Sequence, residues 1–271
     1  MNSETIALIF WTVLVVCGAL TFAAETIWPK APISASVRAQ HIAGNFLLWS
    51  VSVLLLSVFV HSSVTVVQAL SELHRIGLLY SVGAPTWLAA VIGFLAADFA
   101  DYVFHRASHR SRVLWLLHAV HHSDRHLDVS TSLRQHPFSL LAALTVRAAL
   151  VLALGAPLWA LALRDVCGVA NSHLHHAAIA WSPRAQIWME QYLAWLIVPP
   201  TAHWFHHHPE THNTNSNFGQ VLSCWDRLFG TYQSSIHPPE LSGLNALQES
   251  SWHTVWGMLL SPWRARNIEK L

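Results

Sequence analysis

The sequence contains little charge. Charged residues make up 11% of its 271 positions, whereas ordinary soluble domains carry about 25%. Only two of the 15 basic residues are lysine, and the net charge is +1, so the chain lacks the cationic surface that binds nucleic-acid phosphates. The three cysteines form no CxxC pair, which leaves a cysteine metal or redox site without support. A soluble cytosolic enzyme, a disordered protein and a nucleic-acid-binding protein are therefore poor matches.

Apolar residues are abundant instead. Hydrophobic residues make up 53% of the chain and 14 residues are tryptophan, whose indole ring favours the membrane–water boundary. Uncharged runs long enough to cross a bilayer predict spans at 5–24, within 42–69 and at 76–97, and we expect the third helix to continue through His109. The sequence predicts an all-α integral membrane protein.

A fourth apolar segment, 138–163, contains Arg147 and is broken by glycine and proline at 155–157. A helical hairpin turning there has two arms of about bilayer thickness and returns the chain to the side it left. The hairpin would bring Arg147 level with Asp165, and intramembrane charges are usually paired. We therefore expect a buried Arg147–Asp165 ion pair; the alternative is that Arg147 lines a water-filled cavity.

Basic residues predict the orientation. One side of the membrane would carry Lys30, Arg38 and the arginines between 106 and 134. The positive-inside rule makes that side cytoplasmic. The predicted fold thus has about four to five transmembrane helices, including the hairpin, and a cytoplasm-facing, histidine-rich catalytic region.

Histidine is the residue type that carries chemistry, because 15 of the 20 histidines fall between 105 and 212. They form an HxxxH pair, two HxxHH groups and one HxHH group. Positions i and i+4 share one face of a helix, so their imidazoles can reach one ion. A single catalytic zinc takes about three protein ligands, so this number of histidines favours two ions. Imidazole suits iron, zinc, copper and nickel alike. The clustered residues are His105 and His109; His118, His121 and His122; His173, His175 and His176; His203, His206 and His207.

Three residues on the helix of the HxxxH pair, Asp98, Asp101 and Tyr102, lie on the stripe of His105. All three are expected to support the ligands, and carboxylates such as these can accept the second N–H of a metal-ligating histidine. His136 is a further candidate ligand. Bis-histidine haem ligation and metal transport are the rival uses, but both place ligands deep within spans, whereas these histidines cluster where spans leave the bilayer.

Together these motifs resemble the fatty acid hydroxylase (sterol desaturase) superfamily over about residues 90–235. The flanking sequence segments support the same resemblance. They are DFADYVFHR at 98–106, HHSD at 121–124, STSLRQHP at 130–137, NFG at 217–219 and WDRLFGTY at 225–232.

The resemblance implies a membrane-embedded di-iron centre that uses O2 to hydroxylate a lipid C–H bond, in a fatty acyl chain, a sterol or a related isoprenoid. It also implies Asp226 as a residue supporting the ligands, and His176 as the ligand of its cluster, with His173 and His175 as alternates. Lipid desaturation and a non-catalytic metal-binding membrane protein remain the alternatives. The implied metal ligands are His105, His109, His118, His121, His122, His176, His203, His206 and His207.

The same resemblance implies the organisation and the partners. We expect N-terminal transmembrane helices at 1–85, a fatty acid hydroxylase-like catalytic domain at 86–235 and an interfacial tail at 236–271. Two iron ions, which zinc can replace on purification, and O2 are the expected cofactors. The expected partners are a bilayer lipid and a separate electron donor (cytochrome b5-like protein, ferredoxin or reductase), since the sequence shows no fused cytochrome b5-like domain. The expected location is the bacterial inner membrane, with the site facing the cytoplasm.

Overall fold

The computed structural model describes residues 3–234, 242–247 and 249–267. These residues are mostly helical and form no β-strand; two isolated bridges join Pro29 to Ile179 and Ile197 to Leu222. The predicted all-α fold is thereby confirmed. Residue 235 of the expected catalytic domain and residues 236–241, 248 and 268–271 of the expected interfacial tail lie outside the described residues, as do the side chains of 58–69 in the second predicted span.

Apolar runs form the long helices, and proline stands at the first helical position of three helices, where its missing N–H costs nothing. In chain order the helices are α1 (Ser3–Ile27), α2 (Ala35–His74), α3 (Leu78–Ser81), α4 (Thr86–Arg110), α5 (Arg112–His122), α6 (Pro137–Leu154), α7 (Leu158–His176), α8 (Pro183–Gln191), α9 (Pro200–His206), α10 (Thr211–Thr214), α11 (Cys224–Leu228) and α12 (Val255–Arg264).

Four of the described helices are long and apolar enough to cross a membrane; their spans are Ala7–Ile27, Ala35–Ser57, Thr86–Arg110 and Pro137–Leu154. The second and third differ from the sequence prediction. α2 begins at Ala35, seven positions before 42. The third span begins at Thr86 and not at 76, because Gly77 and Gly83 adopt positive φ angles of 128° and 63° and Pro85 precedes the new helix. α4 does continue beyond His109, as expected.

The predicted hairpin is present. α6 and α7 are joined by the three residues 155–157, and Gly155 there has a φ of 66°. A Cβ on Gly155 would lie 2.5 Å from a ring carbon of Tyr80, so this turn requires glycine for space as well as for conformation. The hairpin returns the chain so that the histidine end of α7 lies at the same end as the C-terminal half of α4.

Arg147 of α6 and Asp165 of α7 form the expected ion pair, with Nη1–Oδ1 at 2.9 Å. The pair is partly exposed and not buried, with 29% and 32% of the side chains accessible. It also belongs to a larger network: Arg147 Nη2 lies 2.7 Å from Asp101, and Arg164 contacts Asp101, Asp165 and Asp98. The network joins α4, α6 and α7 within the membrane-spanning region.

α4 is central, because it packs against α5, α6 and α7, while α1 packs on α7 and α2 on α6. Glu25 at the end of α1 is 1% exposed and accepts hydrogen bonds from Arg38 and from the backbone N–H groups of Val129 and Ala178. These bonds place Arg38 and the α1–α2 loop at the histidine end of the bundle, as the basic residues predict.

Candidate metal centre

Nine histidines lie in two groups, and within each group the possible ligand atoms are all within 4.8 Å of one another. Eight of the nine are buried and His109 is half-buried. The first group draws on α4, α5 and α9, and the second on α5, α7 and the end of α9. The first group contains His105, His109, His118, His122 and His206; the second contains His121, His176, His203 and His207.

Helix geometry distributes these side chains. His105 and His109 lie one turn apart on α4, and His118 and His122 one turn apart on α5, so each pair points to one side. Adjacent residues of a helix differ by about 100° around its axis. His121 therefore points to the second group while His122 points to the first. His206 likewise points to the first group and His207 to the second.

Ring nitrogens converge inside each group. The Nε2 atoms of His118 and His122 are 3.1 Å apart, and His203 Nε2 lies 3.0 Å from that of His176 and 3.1 Å from that of His207. Two nitrogens that each lie about 2.1 Å from one ion, at right angles, are about 3.0 Å apart. The spacing of the nitrogens thus fits ligands that share an ion.

Several of these nitrogens are buried without a hydrogen-bond partner among the described residues. They include Nε2 of His105, His109 and His206. A buried polar atom left unsatisfied costs about 1–3 kcal/mol, and a bound cation would remove that cost. The residues present therefore fit a metal centre.

Backbone carbonyls set the orientation of three rings. The Nδ1–H groups of His105, His206 and His176 point to the carbonyl oxygens of Phe218 (2.9 Å), Ser216 (2.6 Å) and Ser172 (2.7 Å). A histidine that donates through Nδ1 presents the lone pair of Nε2, here toward its group. Sequence reasoning missed these acceptors because a backbone carbonyl belongs to every residue type.

The rings are held in the form that binds metal. Burial first, and then the neighbouring histidines, lower the pKa of His118, His203 and His207 well below the ordinary 6.5. Neutral imidazole is the metal-ligating form, so no proton has to be removed at neutral pH before an ion binds.

The fatty acid hydroxylase family model matches residues 90–231 of the chain, a segment that contains all nine histidines of the two groups. The chain belongs to the fatty acid hydroxylase family. The expected resemblance is thereby confirmed.

Curated relatives agree with the family. The chain is 27% identical to human alkylglycerol monooxygenase over 156 residues, which cover 55% of the chain and 31% of that protein. It is 29% identical to the ornithine lipid hydroxylase OlsE of Rhizobium tropici over 158 residues, 57% of the chain and 44% of that protein. The matches thus cover less than half the length of these relatives. No solved structure matches the chain.

The carboxylates expected to support the metal ligands have other partners. Asp98 accepts from Arg164, from the indole N–H of Trp225 at 2.9 Å and from the backbone N–H of Leu222. Asp101 binds Arg147 and Arg164. The expectation that they accept from an imidazole is corrected, because α6 and α7 bring arginines to this stripe of α4.

Tyr102, the third residue of that stripe, is buried and has its hydroxyl 3.0 Å from Thr231 Oγ1. It also accepts a hydrogen bond from Arg106. None of its hydrogen bonds among the described residues reaches a histidine, and Tyr102 anchors the WDRLFGTY segment to α4.

Three further histidines were candidate ligands, and the structure places each outside the two groups. His136 Nε2 donates to the carbonyl of Leu259 at 3.1 Å. His173 donates through Nε2 to the Leu14 carbonyl and accepts at Nδ1 from Ser132, so it joins α7 to α1. His175 is fully buried and stacks on His203 with ring centroids 3.7 Å apart.

Asp226 supports the first group through one intermediate residue. Its carboxylate accepts from the backbone N–H groups of Phe218 (2.8 Å) and Gly219 (2.7 Å) and from Thr231 Oγ1 (2.7 Å). The Phe218 carbonyl in turn accepts from His105. Asp226 is therefore a positioning residue, which fixes the loop that orients His105.

Asp226→Asn is expected to weaken metal binding by about 10–100-fold, because the amide presents an N–H to a backbone N–H and releases the Phe218 loop. Competition with a chelator on detergent-purified protein measures this change. Thr231→Val is the matched control: it removes one bond to Asp226 but leaves both backbone bonds, so its loss should be clearly smaller. Equal metal affinity in wild type and Asp226→Asn would contradict the positioning role.

Proposed function

We propose that this protein is a membrane-bound, O2-dependent di-iron oxygenase that hydroxylates a C–H bond of a lipid, namely a fatty acyl chain, a sterol or a related isoprenoid. The observation that carries the proposal is the pair of buried histidine groups, in which ring nitrogens converge and several, including Nε2 of His105, His109 and His206, have no hydrogen-bond partner among the described residues. The relatives named as a lipid hydroxylase and an alkylglycerol monooxygenase support the substrate class.

Iron is the proposed metal because cleavage of an unactivated C–H bond needs a redox-active ion, which zinc is not. Imidazole nitrogens suit iron, and we propose all nine histidines of the two groups as the ligands. When bound, the iron pair would supply the activation of O2. Among the described residues both groups consist of histidine alone, which distinguishes this site from the glutamate-rich di-iron bundles.

The protein's own residues would hold and protect the centre. The carbonyls of Phe218, Ser216 and Ser172 fix three rings, and burial of the histidines keeps bulk water away. His109 lies in the last turn of the apolar helix α4, so the centre would sit where spans leave the bilayer. A lipid can then enter from the membrane while electrons arrive from the aqueous side.

The basic residues at the histidine end support a cytoplasmic orientation, and we propose the bacterial inner membrane as the location. The reductant would be a separate cytochrome b5-like protein, a ferredoxin or a reductase. The proposed catalytic domain is 86–235, between the N-terminal transmembrane helices (1–85) and the interfacial tail (236–271).

Iron-reconstituted protein, supplied with a chemical reductant, 18O2 and a total lipid extract, tests this function. We expect one 18O atom in a hydroxylated lipid, identified by mass spectrometry. His121→Ala should abolish that product, because His121 belongs to the second group, and its secondary structure by circular dichroism should be unchanged.

Three other results would contradict hydroxylation. A new double bond with the label in water would indicate the desaturase alternative. Bound iron without oxygen consumption, across the lipid extract, would indicate a non-catalytic metal-binding protein. Haem in the purified protein would refute the histidine-only centre.

A further inference from the structure

A cavity of about 770 Å³ lies beside the second histidine group. We propose that it binds the anionic headgroup of the lipid substrate, a phosphate or carboxylate, while the hydrocarbon chain is presented to the metal centre. This inference rests on the proposed function and specifies its substrate class. The residues that carry it are Lys30, Arg38, Arg125, Trp181, Thr201 and Trp204.

The walls of the cavity continue directly from segments that carry the second histidine group. Ala178, in one wall, follows His176 by two positions, and Thr201 and Trp204 flank His203 in α9. The loop that follows α1 adjoins this wall, because the backbone N–H of Lys30 donates to the Ala178 carbonyl at 2.7 Å. A molecule in this cavity is therefore held by the chain that positions the ligands.

The cavity lies at the level that lipid headgroups would occupy in a membrane. The apolar span of α1 ends at Ile27 and that of α2 begins at Ala35, and the cavity is lined by Pro29–Ile33 between them. This loop lies at the boundary between hydrocarbon and water. Trp28 is 60% exposed at the same level, the position that tryptophan prefers at membrane interfaces.

Among the described residues of the lining, three cations, Lys30, Arg38 and Arg125, stand beside two carboxylates, Glu25 and Asp128. Glu25 is neutralised by Arg38, with Nη2–Oε1 at 2.6 Å, and by two backbone N–H groups. Asp128 faces His41 at 3.1 Å and accepts from Ser130. Lys30 and Arg125 add positive charge, which favours an oxyanion ligand.

Lys30 is positioned by an aromatic ring. Its ammonium nitrogen lies 3.4 Å from the centroid of Trp204, a cation–π contact that holds the charge at the cavity. Ile33, Leu127 and Ile179 make other parts of the lining apolar. A site with a few charged groups on an apolar wall suits an amphipathic molecule, and a headgroup fixed there would determine which carbon along the chain meets the metal centre.

Binding of fluorescent phosphatidylglycerol and of fluorescent diacylglycerol to detergent-purified protein tests the proposal. Wild type should prefer the anionic lipid. Lys30→Met should bind phosphatidylglycerol about tenfold more weakly, with unchanged diacylglycerol binding, and Lys30→Arg should restore most of the affinity. Arg184→Gln is the matched control, because Arg184 is exposed and lies outside the cavity lining; it should bind like wild type.

Equal binding of the two lipids by wild type, or an unchanged preference in both Lys30→Met and Arg125→Gln, would overturn the proposal. Competition by millimolar inorganic phosphate as effective as that by the lipid would overturn it in favour of a soluble anion. Because binding is measured without turnover, failure of the proposed function is separate: a protein that prefers anionic lipid but incorporates no 18O retains the cavity assignment and loses the oxygenase assignment.

Discussion

His206→Ala is expected to lower the iron content from about two ions per chain to about one. His206 belongs to the first group and His203 to the second, so His203→Ala should lose the other ion. Because neither group alone makes a di-iron centre, O2-dependent lipid hydroxylation should fall on the order of a thousandfold or more in both variants. Metal analysis beside a turnover assay measures both effects.

His136→Gln is the matched control for these variants. His136 is also a buried histidine, but it donates to the Leu259 carbonyl and lies outside both groups. It should retain both ions. An equal loss of iron in His136→Gln and His206→Ala would mean that the loss reports unfolding, and full iron content in His206→Ala would refute the ligand assignment.

Arg164→Met is expected to destabilise the protein by about 3–5 kcal/mol, because it leaves a buried carboxylate without its counter-charge. The side chains of Arg164 and Asp98 are 3% and 0% exposed, with Nη2–Oδ1 at 3.1 Å. No water inside the bilayer can replace the lost partner. Thermal or denaturant unfolding in detergent, followed by tryptophan fluorescence, measures the change.

Arg147→Met is the comparison for that variant, since its side chain is 29% exposed and Arg164 still contacts Asp101 and Asp165 after its removal. Its cost should be smaller. The double variant Arg164→Met/Asp98→Asn should recover part of the loss, because it removes the unpaired charge. If the Arg164→Met variant is as stable as the wild type, the ion-pair network does not hold α4 and α7 together.

The spacing of the histidines along the sequence predicted most features of the site that depend on the geometry of a single helix. The i and i+4 relation of His105 with His109, and of His118 with His122, is local, and the structure keeps it. The hairpin was also predictable, because a Gly-Ala-Pro sequence interrupts an apolar run at a length that suits two arms. That these histidines bind iron stays a prediction.

Contacts between helices were not predictable in the same way. Asp98 and Asp101 share a stripe with His105, but a single sequence does not show that α7 brings Arg164 to that stripe. The carbonyl acceptors of the imidazoles leave no side-chain signal at all. The start of the third span was misplaced because hydropathy ignores the positive φ angles of Gly77 and Gly83.

The division of the histidines among helices has a consequence for biogenesis. α9 contributes to both groups, through His203 and His206, and it is made after α4, α5 and the whole hairpin. A nascent chain that ends before α9 therefore contains an incomplete set of histidines for each group, although the four span-length apolar helices of the described residues have already been synthesised. Metal loading would then follow membrane insertion, and an ion shared by His109 and His206 would join positions roughly a hundred residues apart, which restricts the unfolded chain as a long-range cross-link does.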